Sequence, residues 1–154
     1  MNQLTSSHNS LRKIKGDFAG KDIISLDQFS VEDLLMLFDV THKMKRIAIN
    51  KEPSQLLAGH IISLLFFEPS SRTFSSFAAA VKRLGGQTIE MQNPETTASV
   101  YKGESFEDTI RVLEAYSDAI VLRHRISGCA KMTLFRTTAQ LVEIGKIIGS
   151  HVIR

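Results

Sequence analysis

The strongest pattern along the chain is a near-continuous apolar run, Ile61-Ile62-Ser63-Leu64-Leu65-Phe66-Phe67, closed by Pro69. A run of that length without alternation fits a strand covered on both faces, as in a parallel sheet. Two shorter segments, Gln87–Met91 and Ala119–Leu122, read as further strands. Between them the periodicity changes to that of helices. Phe74, Phe77, Ala78, Val81 and Leu84 form one stripe, and Gly85-Gly86 ends it as C-terminal glycines do. Phe106, Ile110, Leu113 and Tyr116 form another, opened by Ser105 and Asp108 at capping spacing. An earlier helix starts at Ser30, with Asp33 three residues on, and carries Leu34, Leu37, Phe38 and Met44. Its basic residues Lys43, Lys45 and Arg46 suit the negative end of the helix dipole, and Pro53 marks the break after it.

The order strand, helix, strand, helix, strand predicts an α/β domain with a parallel sheet flanked by helices. Its expected bounds are residues 17–132. Residues 1–16 are polar and basic and read as a flexible tail, with a short strand or turn at Asp22–Ser25 after it. Residues 93–103 show no period and form a long loop, a size often tied to function. At the other end, Leu134, Leu141, Ile144 and Ile148 can share one helical face. The reading for residues 133–154 is therefore a closing C-terminal helix, weakened by Gly145 and Gly149.

Composition narrows the class. Of 154 residues, 43% are hydrophobic and 23% charged, so a packed core rather than disorder is expected. The net charge of +3 suits a small anionic ligand better than nucleic acid. A nucleic-acid surface would need stacking aromatics interleaved with a basic stripe, and the phenylalanines here fall at core spacing. The single cysteine, Cys129, excludes an internal disulfide and suits a reducing compartment. The start is polar where a secretory leader would be apolar, and no stretch approaches a membrane span. A cytoplasmic location is the expectation.

The candidate chemistry sits at Glu68-Pro69-Ser70-Ser71-Arg72-Thr73, where the buried strand hands over to a helix. The first helical turn has free N–H groups and a positive dipole end, which attract anions and phosphate in particular. Ser70, Ser71 and Thr73 add hydroxyls, and Arg72 adds a planar fork matched to phosphate oxygens. It is not a P-loop, because no Gly-x4-Gly-Lys is present. On spacing alone, a capped helix with an incidental arginine is the better reading. Lys102 alone reads as a loop lysine, and Arg123 alone as one half of a surface ion pair. His8, His42, His60 and His151 show no metal-ligand spacing, and Cys129 reads as an ordinary thiol.

These segments together resemble the aspartate/ornithine carbamoyltransferase family. Ser70-Ser71-Arg72-Thr73 is similar to its Ser-Thr-Arg-Thr signature. Lys82-Arg83-Leu84-Gly85-Gly86, Ser99-Val100-Tyr101-Lys102-Gly103-Glu104-Ser105, Asp108-Thr109-Ile110-Arg111-Val112 and Arg123-His124 follow in the family's order. The likeness runs from about Gly16 to about Lys131. It departs at Ser71, where threonine is usual, and at Ala98, where the loop serine is usual and Ser99 stands one place later. Arg125 replaces the proline that commonly follows the histidine.

The resemblance implies a carbamoyl-phosphate-binding domain, with Ser70, Ser71, Arg72 and Thr73 on the phosphate and Arg123 on the substrate. It implies that Lys102, and with it Ser99, enters a neighbouring subunit's site in a homotrimer. It implies no metal or organic cofactor, and aspartate rather than ornithine as the second substrate. His124 is expected to be structural, since the family's active-site histidine lies in a later His-Pro-Thr-Gln motif absent here. The amino-acid-binding second domain is expected to be missing. Residues 134–148 faintly resemble the family's last helix. The expected function is carbamoyl-phosphate binding for carbamoyl transfer to aspartate in pyrimidine biosynthesis, weak or absent in the chain alone. The alternative is a non-catalytic, trimer-forming phosphate module.

Overall fold

A computed structural model describes residues 13–94, 103, 105–126, 129 and 140–143, the last four by their backbone only. Strand β1 spans Ile61–Phe66, β2 Gln87–Gln92, β3 Ala119–Arg123 and β4 Gln140–Glu143. They form one sheet in the order β2-β1-β3-β4. Every pairing is parallel. Helix α1 covers Val31–Asn50, α2 Ser71–Arg83 and α3 Phe106–Tyr116.

The sheet is covered on both faces, and that explains the apolar run of β1. Leu64 and Phe66, with Val121 of β3, meet Phe74 and Ala78 of α2. Leu65 and Phe67, with Ile120 and Leu122 of β3, meet Ile110 and Leu113 of α3. Successive strand residues point to opposite faces, so a strand between two helical layers must be apolar at nearly every position. The one polar residue in the run, Ser63, is fully buried but satisfied. Its hydroxyl donates to Ser117 Oγ at 2.9 Å, which donates to the Leu113 carbonyl at 2.7 Å.

The two capping signals read from sequence are both present. Ser30 and Asp33 form a reciprocal capping box on α1, and the Ser105 hydroxyl accepts the Asp108 N–H on α3. The glycine pair ends α2 in a Schellman turn. The Gly86 N–H donates to the Val81 carbonyl at 3.0 Å, and the Gly85 N–H to that of Lys82 at 3.2 Å. Gly85 has φ +84°, and a Cβ there would stand 2.9 Å from the Ser54 carbonyl oxygen. Both its backbone and its surroundings require glycine.

Three expectations change. Residues 13–16, placed in a flexible tail, are tied to the domain. Ile14 is fully buried, and its N–H donates to the Gln28 carbonyl at 3.0 Å. The Lys15 and Gly16 N–H groups donate to Asp33. One apolar residue in a polar stretch left too little pattern to show this. After Asp22–Ser25 comes a short 3₁₀ turn at Leu26–Gln28, fixed by a Ser25–Gln28 capping box.

Helix α1 does not bury the face expected of it. Leu37 and Phe38 are exposed, while Asp33 is buried and Leu34, Met44 and Ile47 are half-buried. Finally, residues 140–143 are a strand, not part of a helix. Ala119 to Leu122 of β3 pair with Gln140 to Glu143. The free edge of β3 offers a row of unpaired N–H and C=O groups that a short extended segment satisfies. The rest of the predicted closing helix, and residues 1–12, lie outside the described residues.

The carboxylates that fix the chain entries make stability acid-sensitive. Burial opposes charge on Asp33, but the N–H groups of Ser30 and Gly16, the Ser30 side chain and the charge of Lys21 outweigh it and hold its carboxyl below the usual value. The Ile61 N–H holds Asp118 down, with His60 adding to it and burial opposing. Lys82 and then Thr88 do the same for Glu90. A carboxyl lowered in the folded state takes up its proton first in the unfolded chain. Its contribution is present above the ordinary carboxylate range, roughly pH 4–4.5, and is lost as pH falls through the lower folded values. Urea unfolding between pH 7 and 3 should show a steep loss of stability below that range. Asp33→Asn should be less stable at pH 7 and show a shallower acid slope. An Asp33→Asn slope equal to that of the unmodified chain would remove Asp33 from this account.

Candidate active site

The strand order locates the site before any side chain does. From β1 the chain crosses to β2 on one side, then passes back over to β3 on the other. Connections leaving in opposite directions open a crevice at the carboxyl ends of β1 and β3, where ligands of open α/β sheets bind. The Phe67 N–H donates to the Arg123 carbonyl at 2.8 Å, so the two strands end side by side. β1 then runs through Glu68 and Pro69 into the start of α2.

That helix start differs from the other two. Ser70 is the N-cap, with extended φ −157°, yet its side chain makes no capping bond. Its hydroxyl donates to Thr73 Oγ1 at 2.9 Å. Helices α1 and α3 each have a serine cap and acidic residues in the first turn, whereas the first turn of α2 has none. The orphan N–H groups and positive dipole end of α2 thus meet neither a capping oxygen nor a carboxylate. Ser71 and Arg72 are exposed, Ser70 and Thr73 half-buried. The Arg72 guanidinium makes no ion pair with any other described residue. Such a corner suits a phosphate group.

Arg123, the last residue of β3, lies at the same end of the sheet. Its side chain is 22% exposed, and its Nε and Nη2 each stand 3.1 Å from Oε2 of Glu68. Glu68 therefore ties Arg123 to the segment that leads into α2. Glu68 lies in the segment Glu68–Thr73, yet its local sequence assigns it no role. An acidic residue next to an anion site is legible only once its partner is known. A bound anion would compete with Glu68 for this guanidinium.

His124, the next residue, packs between rings. Its centroid lies 4.8 Å from that of Phe67 and 5.3 Å from that of Phe106. Its Nδ1 accepts the Ile126 N–H at 2.9 Å. This is the structural role expected of it. Cys129 is buried as a free thiol. Ser99 and Lys102 lie outside the described residues. The described groups thus gather Ser70, Ser71, Arg72, Thr73 and Arg123 at one end of the sheet. Among the described residues, no cluster of His, Cys, Asp and Glu could hold a metal ion. No helix among them is long and apolar enough to cross a membrane.

The model of the aspartate/ornithine carbamoyltransferase carbamoyl-P binding domain matches residues 21–151. The chain belongs to the aspartate/ornithine carbamoyltransferase family. Aspartate carbamoyltransferase 1, chloroplastic, of Pisum sativum is 42% identical over 130 residues, covering 84% of this chain and 34% of its own length. The aspartate carbamoyltransferase catalytic subunit of Methanosarcina mazei is 48% identical over 115 residues, covering 75% of this chain and 37% of its own. Among solved structures, aspartate transcarbamoylase of Trypanosoma cruzi in complex with carbamoyl phosphate and aspartate superposes with TM-score 0.77. It shares 39% identity over 88% of this chain and 44% of its own.

The chain thus spans about a third of the length of these curated relatives. The match to the carbamoyltransferase domain extends to 151, well past Lys131, where the sequence likeness was expected to stop. Residues 140–143 fit that result as a strand of the same parallel sheet. They count against reading residues 134–148 as the family's last helix.

Proposed function

We propose that this chain binds carbamoyl phosphate and presents it for transfer of the carbamoyl group to L-aspartate, in pyrimidine biosynthesis. One observation carries the reading. The first turn of α2, free of a capping side chain and of acids and bearing Arg72, opens at the sheet's switch point at the same end as Arg123. The phosphate would lie on the N–H groups and hydroxyls of Ser70, Ser71 and Thr73 and on the Arg72 fork. Arg123, released in part from Glu68, would contact the substrate. When an amine attacks the carbamoyl carbon, negative charge grows on the carbonyl oxygen and on the departing phosphate. Fixed donors already in place stabilise that charge without reorganising.

By family likeness, Lys102 and Ser99 would complete the site of a neighbouring subunit, which makes the working unit a homotrimer. Aspartate is the favoured second substrate because the sequence from Ser99 to Lys102, continuing Gly103-Glu104, resembles the aspartate branch, and the named relatives are aspartate carbamoyltransferases. The matched region is the carbamoyl-phosphate domain, so binding and orienting carbamoyl phosphate is the part of the reaction proposed for these residues. A second reading is a non-catalytic phosphate-binding module that forms trimers, since the uncapped, acid-free start of α2 needs only a phosphate to fill it. Production of carbamoyl-aspartate separates the two.

Isothermal titration with carbamoyl phosphate tests the common core of both readings. Saturable binding, competed by inorganic phosphate, is expected from a species with the native mass of three chains. No heat at millimolar-range ligand would overturn the site. Binding by a monomer would remove the shared-subunit role of Lys102 and Ser99 alone.

A further inference from the structure

We infer that His124 is a positioning residue for this site, acting through Arg123. The inference rests on the phosphate-site reading given above. Three rings, Phe67, Phe106 and His124, meet at mutual centroid distances of 4.8, 5.2 and 5.3 Å. Each comes from a different part of the fold. Phe67 directly follows β1, Phe106 is the first residue of α3, and His124 directly follows β3. Phe67 is almost fully buried against the α3 face of the core, so the cluster is anchored on a rigid base.

Arg123 is held from three sides by this arrangement. The Phe67 N–H donates to its carbonyl. Glu68 takes its guanidinium. His124 fixes the chain just beyond it, because its Nδ1 accepts the N–H two residues on, at Ile126. This is a side-chain turn of the kind asparagine and aspartate make. The position after His124, where proline is usual in the likeness described above, is Arg125 here. A proline would set the strand exit through its ring. In this chain the imidazole nitrogen sets it instead. The ring contact with Phe106 further joins the Arg123 strand end to the start of α3, directly after the segment that carries Ser99 and Lys102.

The two parts of the histidine can be separated. His124→Asn keeps an acceptor near the place of Nδ1 and removes the ring. His124→Phe keeps the ring and removes the acceptor. Each is expected to weaken carbamoyl phosphate binding about 3–10-fold, the scale of one aromatic pair or one neutral hydrogen bond. In an Arg123→Gln background each should change it less than about 2-fold, since groups that act through one another are not additive. A general loss of stability would instead lower affinity equally in both backgrounds. Without ligand, the Arg123 Nε–H proton, shielded by Glu68, should exchange faster with solvent in both variants by NMR. Unchanged affinity in both variants, equal losses in the two backgrounds, or an unaltered Arg123 signal would overturn the role of His124. If the unmodified chain bound no carbamoyl phosphate, the site reading would fail, and the Arg123 signal would still decide this one.

Discussion

Replacing Arg72 with glutamine is expected to weaken carbamoyl phosphate binding by roughly 10–150-fold, the factor that corresponds to about 1.5–3 kcal/mol for a hydrogen bond to a charged group. The argument rests on what the helix start lacks. No carboxylate sits in the first turn of α2, and no described residue pairs with Arg72. Its charge is therefore uncompensated by any ion pair within the described fold, and a bound phosphate would supply the compensation. Glutamine keeps two donors but removes the charge and the fork. Arg72→Lys should fall between, because a point charge cannot make the paired contacts of a guanidinium. The fold should hardly notice either change, within about 0.5 kcal/mol, as expected of an exposed residue free of packing roles. Titration calorimetry and a thermal melt on the same samples measure both quantities. Equal affinities for Arg72→Gln and the unmodified chain would take Arg72 out of the site.

The helix start at Ser70, which sets Arg72 in its first turn, is legible in the sequence because its signal is local. A buried strand, a proline and a hydroxyl-rich turn opening a helix are neighbours in the chain. The same holds for the cap at Ser30 and the glycine stop at Gly85-Gly86. The run from Ile61 to Phe67 announced two covered faces, since only a strand between two layers can be apolar at successive positions. Strand existence and parallel pairing followed from there.

What stayed hidden depends on partners remote in sequence. Glu68 and Arg123 are far apart in the chain and meet only because β1 and β3 are neighbours in the sheet. The Phe67, Phe106 and His124 cluster likewise needs the topology before it exists. The spacing of Leu134, Leu141, Ile144 and Ile148 predicts helix where β4 forms. Four residues are too few for period alone to distinguish a strand from a turn of helix, and the open edge of β3 decided the matter. In α1, apolar residues occur on more than one face, so spacing could not say which face turns inward. Leu35 and Phe38 remain exposed, and the buried position went to the capping residue Asp33.

The largest effect on the fold itself is expected from Phe66→Ala. Phe66 is fully buried at the end of β1, and its ring meets that of Phe74 edge to face, with centroids 5.2 Å apart and planes at 87°. Removing it opens a cavity between the sheet and α2, beneath the helix whose first turn carries the proposed phosphate site. Truncations of this kind cost about 3–5 kcal/mol, against a total stability of about 5–15 kcal/mol for a domain. For a chain of this size the melting temperature should fall by roughly 6–20 °C. Val112→Ala, on the exposed side of α3, should stay within about 0.5 kcal/mol. The contrast also bears on the site. The backbone bond from the Asn93 N–H to the Phe66 carbonyl, at 2.8 Å, does not need the ring, so β1 and β2 should still end together. Affinity for carbamoyl phosphate should then fall less than in Arg72→Gln, at a temperature where the variant is folded. A variant that melts with the unmodified chain would mean that α2 rests on contacts other than the Phe66–Phe74 pair, and the packing argument for where α2 begins would have to be replaced.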